Sequence, residues 1–274
     1  MSLVVLCKLA LAPALILAVT LVGRRHGPRA AGLLVGLPIT SGPLSVLLAY
    51  ERGPAFAAGA ARSGVSGALG VGVFCGAWAL AARRAGWAVG LAAGAVGVVA
   101  VHLVVSAFPL GLALSGLLAL AALGGLATVL LGDAATTGPA LALPSWELPL
   151  RLVVATAVVA GVSFTSASLG PARSGALASL PLITAVLGSF THHRAGAQAV
   201  RQLLGAVTAG AISALAFSAV VARLLGATST TFAYLSATAA ALVSGVLVAY
   251  VRARNDRSSI DSHSAVIAAS SRPR

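Results

Sequence analysis

Acidic side chains are nearly missing from this chain, five in 274 residues against eighteen Lys plus Arg. Charged residues of both signs make up only 8%, where an ordinary soluble domain carries about a quarter. A soluble fold's polar coat cannot be built from so few charges. The shortage also leaves no acid cluster of the kind that holds Na⁺, and no paired aspartates of a membrane prenyl- or phosphotransferase. Two cysteines, Cys7 and Cys75, both lie inside apolar segments, which excludes a disulfide framework or a cysteine metal cluster. Aromatic residues are 5% of the chain and the basic residues fall singly or in twos and threes, so the net charge of +13 forms no aromatic-interleaved basic patch for nucleic acid. No Walker loop and no HExxH pattern is present. Neither enzymatic activity nor a metal or other cofactor is expected.

What the chain has is long apolar runs. Hydrophobic residues are 59% of it, the mean hydropathy is +1.01, and residues 85–131 contain no Asp, Glu, Lys or Arg. That run is more than twice the roughly 20 residues that cross a bilayer as a helix. The expected fold class is therefore an all-α, multi-pass integral membrane protein. Apolar segments and their punctuation give nine candidate spans, at 3–22, 30–50, 64–82, 86–107, 110–131, 148–168, 174–192, 203–225 and 229–250. The first is read as a retained helix, because Arg24, Arg25 and Arg29 follow it where a signal peptide has its positive charge in front. After Tyr250 the composition turns polar and is expected to form an unfolded tail.

Nine spans place Lys8, Arg52, Arg62, Arg173 and Arg223 on one side of the membrane and the other thirteen basic residues on the opposite side. The positive-inside rule then puts the N-terminus outside and the C-terminus in the cytoplasm of a cell that carries the protein in its plasma membrane.

An internal repeat carries the functional reading. Shifting the sequence by 143 residues lays Gly27-Pro28 on Gly170-Pro171, Gly32 on Gly175, Leu37-Pro38 on Leu180-Pro181, Gly53 on Gly196, Gly67-Ala68 on Gly210-Ala211 and Phe74 on Phe217. Lys8 falls on Arg151. Eleven of the 48 positions from 27 to 74 are identical; in so biased a composition the coincident Gly and Pro, which impose backbone geometry, weigh more than the number. The reading is an inverted four-plus-one-plus-four arrangement: a first repeat at 1–107, a linker helix and loop at 108–147, a second repeat at 148–250 and a tail at 251–274. Five crossings separate equivalent helices, and an odd number inverts the second copy. Inverted repeats with broken helices are a recurrent construction of secondary transporters.

Pro38 and Pro43 interrupt span two, and Ser41-Gly42-Pro43 reads as a fresh helix start. Pro181 does the same more mildly in span seven. Interrupted backbone at membrane depth is tolerated where protein or a water-filled cavity satisfies it, so Pro38, Thr40, Ser41, Gly42, Pro43, Pro181 and Thr184 are the expected substrate-binding residues. The bland reading is that these prolines only kink packed helices. The glycines from Gly64 to Gly76 are read as close helix packing. Glu51, His102 and His193 are the proton-coupling candidates, with a solvated Glu51–Arg52 pair and a structural histidine as their plain alternatives. The expected activity is alternating-access transport of a small anionic or zwitterionic metabolite; a channel, a lipid-carrier flippase and a non-transporting scaffold are the alternatives. Membrane lipids and the solute are the expected partners, homo-oligomers are possible, and nucleic acid is not expected.

Overall fold

A computed structural model describes residues 3–39, 41–108, 110–132, 146–168 and 181–270. Its elements are helices α1 (Leu3–Gly36), α2 (Ser41–Arg52), α3 (Pro54–Ala81), α4 (Trp87–Ala107), α5 (Leu112–Gly132), α6 (Glu147–Ser168), α7 (Leu182–Leu224) and α8 (Thr230–Ser270). Among the described residues no strand is present beyond an isolated bridge from Leu225 to Thr228. Six helical stretches are long and apolar enough to cross a membrane, with a shorter apolar segment at Leu148–Val158. Side chains such as Val96 and Leu103 on α4, Leu117 on α5 and Val246 on α8 are exposed. Lipid is the solvent that suits such faces, and the chain is a multi-pass helical membrane protein.

Single glycines reverse the chain. Gly27 (φ 82, ψ 176) interrupts α1 and Gly196 (φ 79, ψ −175) interrupts α7, while Gly53 (φ 88, ψ 161) separates α2 from α3. This region of backbone space is essentially open to glycine alone. Each glycine leads straight into a new helix, two of them through Pro28 and Pro54, a residue suited to a helix's first turn. The reversal at Gly27 shows in packing: a side chain at Gly23 would begin 3.2 Å from the Ala31 Cβ, whereas eight residues of straight helix span about 12 Å. Leu187 shares a core with Leu203 across Gly196, and Ala49 shares one with Ala57 and Ala58 across Gly53.

These turns correct the expected element bounds. Spans three and eight were expected to begin at 64 and 203; the helices begin at Pro54 and directly after Gly196. Arg62, Ser63, Arg201 and Gln202 are carried inside helices, because a one-residue turn needs no polar loop. The backbone after Tyr250 also differs from the expected unfolded tail, continuing as helix to Ser270.

Helix α3 and the 197–224 part of α7 pack antiparallel at the centre. Ala57, Ala58 and Ala61 share a core with Phe217, Val221 and Ala222. At the far end of α3, Phe74, Cys75, Trp78 and Ala79 share a second core with Val200, Leu204 and Val207. The second part of α1 lies against the same helix so closely that a Cβ on Gly36 would stand 2.5 Å from the Val207 carbonyl oxygen and 2.6 Å from the Gly210 Cα. Small residues allow backbones to meet in this way, where lipid supplies no hydrophobic drive of its own.

Candidate functional site

The interruption at Pro38 is present. α1 ends at Gly36, and α2 starts at Ser41, where the Ser-Gly-Pro pattern places a helix start. The Gly42 amide donates to the Pro38 carbonyl at 2.9 Å, and the Ala185 amide donates to the Pro181 carbonyl at 2.8 Å. Each proline thus satisfies one amide of the helix it opens. Ser41 is exposed, Pro43 is also exposed, and Gly42 is buried, with a Cβ there standing 3.7 Å from the Phe217 ring. Thr184 is buried beside a half-buried Pro181, and its neighbour Ile183 packs with Leu15 and with Ile16 of α1. The two helix starts therefore have different neighbours. Thr40 lies outside the described residues.

Glu51 is exposed, next to Arg52, whose guanidinium stands over the Phe56 ring at 5.5 Å. His102 is half-buried in α4. His193 is exposed, whereas its neighbour His192 is buried and its Nδ1 accepts a hydrogen bond from Trp78 Nε1 at 3.3 Å. Sequence reading placed both histidines at the interface and named His193, not His192, as a proton-coupling candidate; the burial of His192 was not foreseen. The available signal was helical spacing: His192 lies one turn beyond Gly188, whose missing side chain makes room for the Trp78 ring.

A cavity of about 60 Å³ lies where α1, α6 and the 182–195 part of α7 meet. A single water needs roughly 10–15 Å³, so there is room for several waters or a small anion. Thr20 and Arg24, one turn apart on α1, line the cavity together with Thr191 and Arg194 of α7 and Arg151 of α6. The Arg151 residue is only 6% exposed, and its guanidinium stands over the Phe190 ring at 5.0 Å. Arg194 stands over Trp146 at 5.5 Å. At these distances each guanidinium is attracted by the ring beneath it. Thr20 is 3% exposed, and its Oγ1 has no hydrogen-bond partner among the described residues.

The cavity occupies the end of the bundle that holds the Gly27 and Gly196 turns. Arg24, Arg25, Arg29, Arg83, Arg84, Arg151, Arg194 and Arg201 all lie toward this end, whereas Arg52, Arg62 and Arg223 lie toward the other. Glu147 and Asp133 are the acids nearest in sequence to the cavity end. Even with both counted, the three cavity arginines keep a positive excess. Sequence reading took these arginines as topology signals, with Arg24, Arg25 and Arg29 as headgroup contacts only in the flippase alternative. Their convergence depends on three helices distant in sequence, which spacing does not reveal. Comparison of the chain with protein-family models, with curated proteins and with solved structures found no match in any of the three.

Proposed function

We propose that this protein is a secondary membrane transporter, an inverted four-plus-one-plus-four repeat that carries a small anionic or zwitterionic solute by alternating access. The observation that carries the reading is the relation between the two cores. Under the 143-residue shift, Ala57, Ala61, Ala79 and Ala82 fall on Val200, Leu204, Ala222 and Leu225, and Phe74, Trp78, Leu91 and Val98 fall on Phe217, Val221, Tyr234 and Ala241. One member of each pair sits in or against one core and the other member in the second. The bounds of α3 shifted by 143 give 197–224, the part of α7 after Gly196, and the start of α4 gives Thr230, the start of α8. Because α3 and its counterpart run antiparallel, a half-turn across the helix axes exchanges them. In a membrane that axis lies in the bilayer plane, which is the inverted relation.

Nine spans are consistent with the same geometry. Of the six long apolar stretches, Pro13–Arg52 and Leu182–Leu224 fold back at Gly27 and Gly196, and Leu148–Val158 adds one more. The arginine-rich end belongs on the cytoplasmic side of the cell membrane by the positive-inside rule. Two halves of near-equal packing exchange conformations and expose a central pathway to either side. Pro38, Ser41, Pro181 and Thr184, at the helix starts, belong to that pathway. A second reading, a flippase for a lipid carrier, is favoured by Arg24 lining a cavity at the end of the bundle.

The test is a coupling between ends. Bridging Ala49→Cys to Val221→Cys with a short bifunctional reagent holds the Gly53 end closed, and the rate at which an impermeant thiol reagent modifies Thr191→Cys at the other end should then rise severalfold. An unchanged rate overturns alternating access and leaves a scaffold.

A further inference from the structure

We propose that Nδ1 of His192 is a proton-binding site, and that a proton taken up there releases the 182–195 part of α7 from α3. Such a switch does not depend on the protein carrying a solute across the membrane.

An indole N–H donates and has no lone pair with which to accept. The bond from Trp78 Nε1 at 3.3 Å therefore fixes the state of His192. Nδ1 holds a free lone pair, and the single N–H of the neutral ring is on Nε2. Imidazolium carries an N–H on both nitrogens. A proton from water and the Trp78 N–H thus compete for one lone pair, and only one of them can hold it.

Which partner gives way follows from the packing. Trp78 is wholly buried. A Cβ on Gly188 would stand 2.8 Å from its Cη2 atom, and one on Gly90 of α4 would run into Cδ1 and Nε1. A ring seated that closely in two glycine gaps has no room to turn its N–H elsewhere. His192 lies on a stretch that begins after Pro181 and ends at the Gly196 turn, which sets it apart from the rest of α7. Two buried N–H groups facing each other leave both donors unsatisfied, an expensive arrangement, and movement of this stretch away from α3 relieves it.

Other charged and titratable groups are carried by the elements at this end. They are Cys75, Arg83 and Arg84 on α3 and just beyond it, Arg24, Arg25, His26 and Arg29 on α1, Glu147 and Arg151 on α6, and His193, Arg194 and Arg201 on α7. α4 brings His102 and α5 none. The arginines keep their charge throughout the range in which imidazole titrates, ordinarily around pH 6.5. His26, His102 and His193 are therefore the groups to separate from His192 by substitution.

The test uses the purified full-length chain in nanodiscs of phosphatidylcholine. With ¹⁵N-labelled histidine, the signal lost in His192→Asn belongs to His192, and at pH 8 the parent should show it as the Nε2–H tautomer. Amide exchange over 183–195, corrected for the intrinsic effect of pH, measures release. Between pH 8 and pH 5 the open fraction should rise severalfold, by no more than about tenfold per pH unit, the limit for one proton. His192→Asn supplies a carboxamide oxygen that accepts from Trp78 at every pH, so its exchange should stay flat. His192→Gln offers the same acceptor on a longer side chain, should the asparagine disturb folding. His26→Asn, His102→Asn and His193→Asn should keep the parent's rise. An Nδ1–H tautomer at pH 8 overturns the site. So does exchange that is flat in the parent, or a rise that persists in His192→Asn and His192→Gln.

Discussion

Trp78 donates its indole N–H to Nδ1 of His192 across 3.3 Å, at positions whose counterparts 143 residues away, Val221 and Ala49, are apolar members of one core. The core at the arginine-rich end therefore carries a polar tie between α3 and α7 that the other core lacks at those positions. The other core has its own, from Tyr234 to the Ser45 carbonyl at 2.7 Å. The two ends are alike in packing and unlike in the bonds that hold them shut.

Trp78→Phe keeps an aromatic ring in the core but removes the donor, leaving His192 Nδ1 without it. Hydrogen bonds between membrane helices are worth about 0.6–1.7 kcal/mol, and the loss in stability should fall in that range. His192→Ala should cost more, because it also opens a void. The double variant should cost less than the sum of the two, since each single change already breaks the shared bond. Chemical unfolding in micelles measures all three.

Gly53→Ala and Gly196→Ala place a side chain where φ is +88 and +79. Backbone strain of this kind costs roughly 1–3 kcal/mol per site. Nothing stands within 4 Å of a Cβ at either position among the described residues, so the loss should come from the backbone alone. Replacing these alanines by D-alanine through semisynthesis should restore stability.

Gly36→Ala drives a Cβ into the Val207 carbonyl and the Gly210 Cα. Overpacking typically costs about 1–3 kcal/mol. Gly72→Ala, whose Cβ would make ordinary contact at 3.5 Å with Ala122, should instead be neutral or stabilising by up to about 1 kcal/mol from helix propensity. Thermal unfolding of the two variants side by side separates close approach from mere glycine content.

Tyr234→Phe removes the hydroxyl that reaches Ser45 and should loosen the Gly53 end while leaving the His192 core intact. Exchange protection of amides in α2 should fall, and that of amides around His192 should not.

The helical architecture was largely legible in the sequence, because unbroken apolar runs such as 85–131 leave few alternatives in a bilayer. The Ser41 helix start and the Gly53–Gly196 correspondence were legible for the same kind of reason: Pro and Gly constrain the backbone locally. The helix starts at Pro54 and after Gly196 were not. An apolar-run criterion locates where lipid begins, and it misreads Arg62 or Arg201 inside a helix as loop. The buried role of His192 depends on which face of α7 meets Trp78, a tertiary fact. The cavity depends on α1, α6 and α7 meeting, and single arginines near helix ends look alike whether they mark topology or line a site.

Tyr50 and His193 test the inverted arrangement most directly. They are 143 residues apart, Tyr50 is 90% exposed at the end of α2, and His193 is exposed just before the Gly196 turn. In a background with Cys7 and Cys75 replaced by alanine, Tyr50→Cys and His193→Cys are each exposed to an impermeant thiol reagent in intact cells and in inverted vesicles. The expected result is labelling of Tyr50→Cys from outside the cell and of His193→Cys from the cytoplasmic face. Labelling of both from the same face would contradict the inverted repeat.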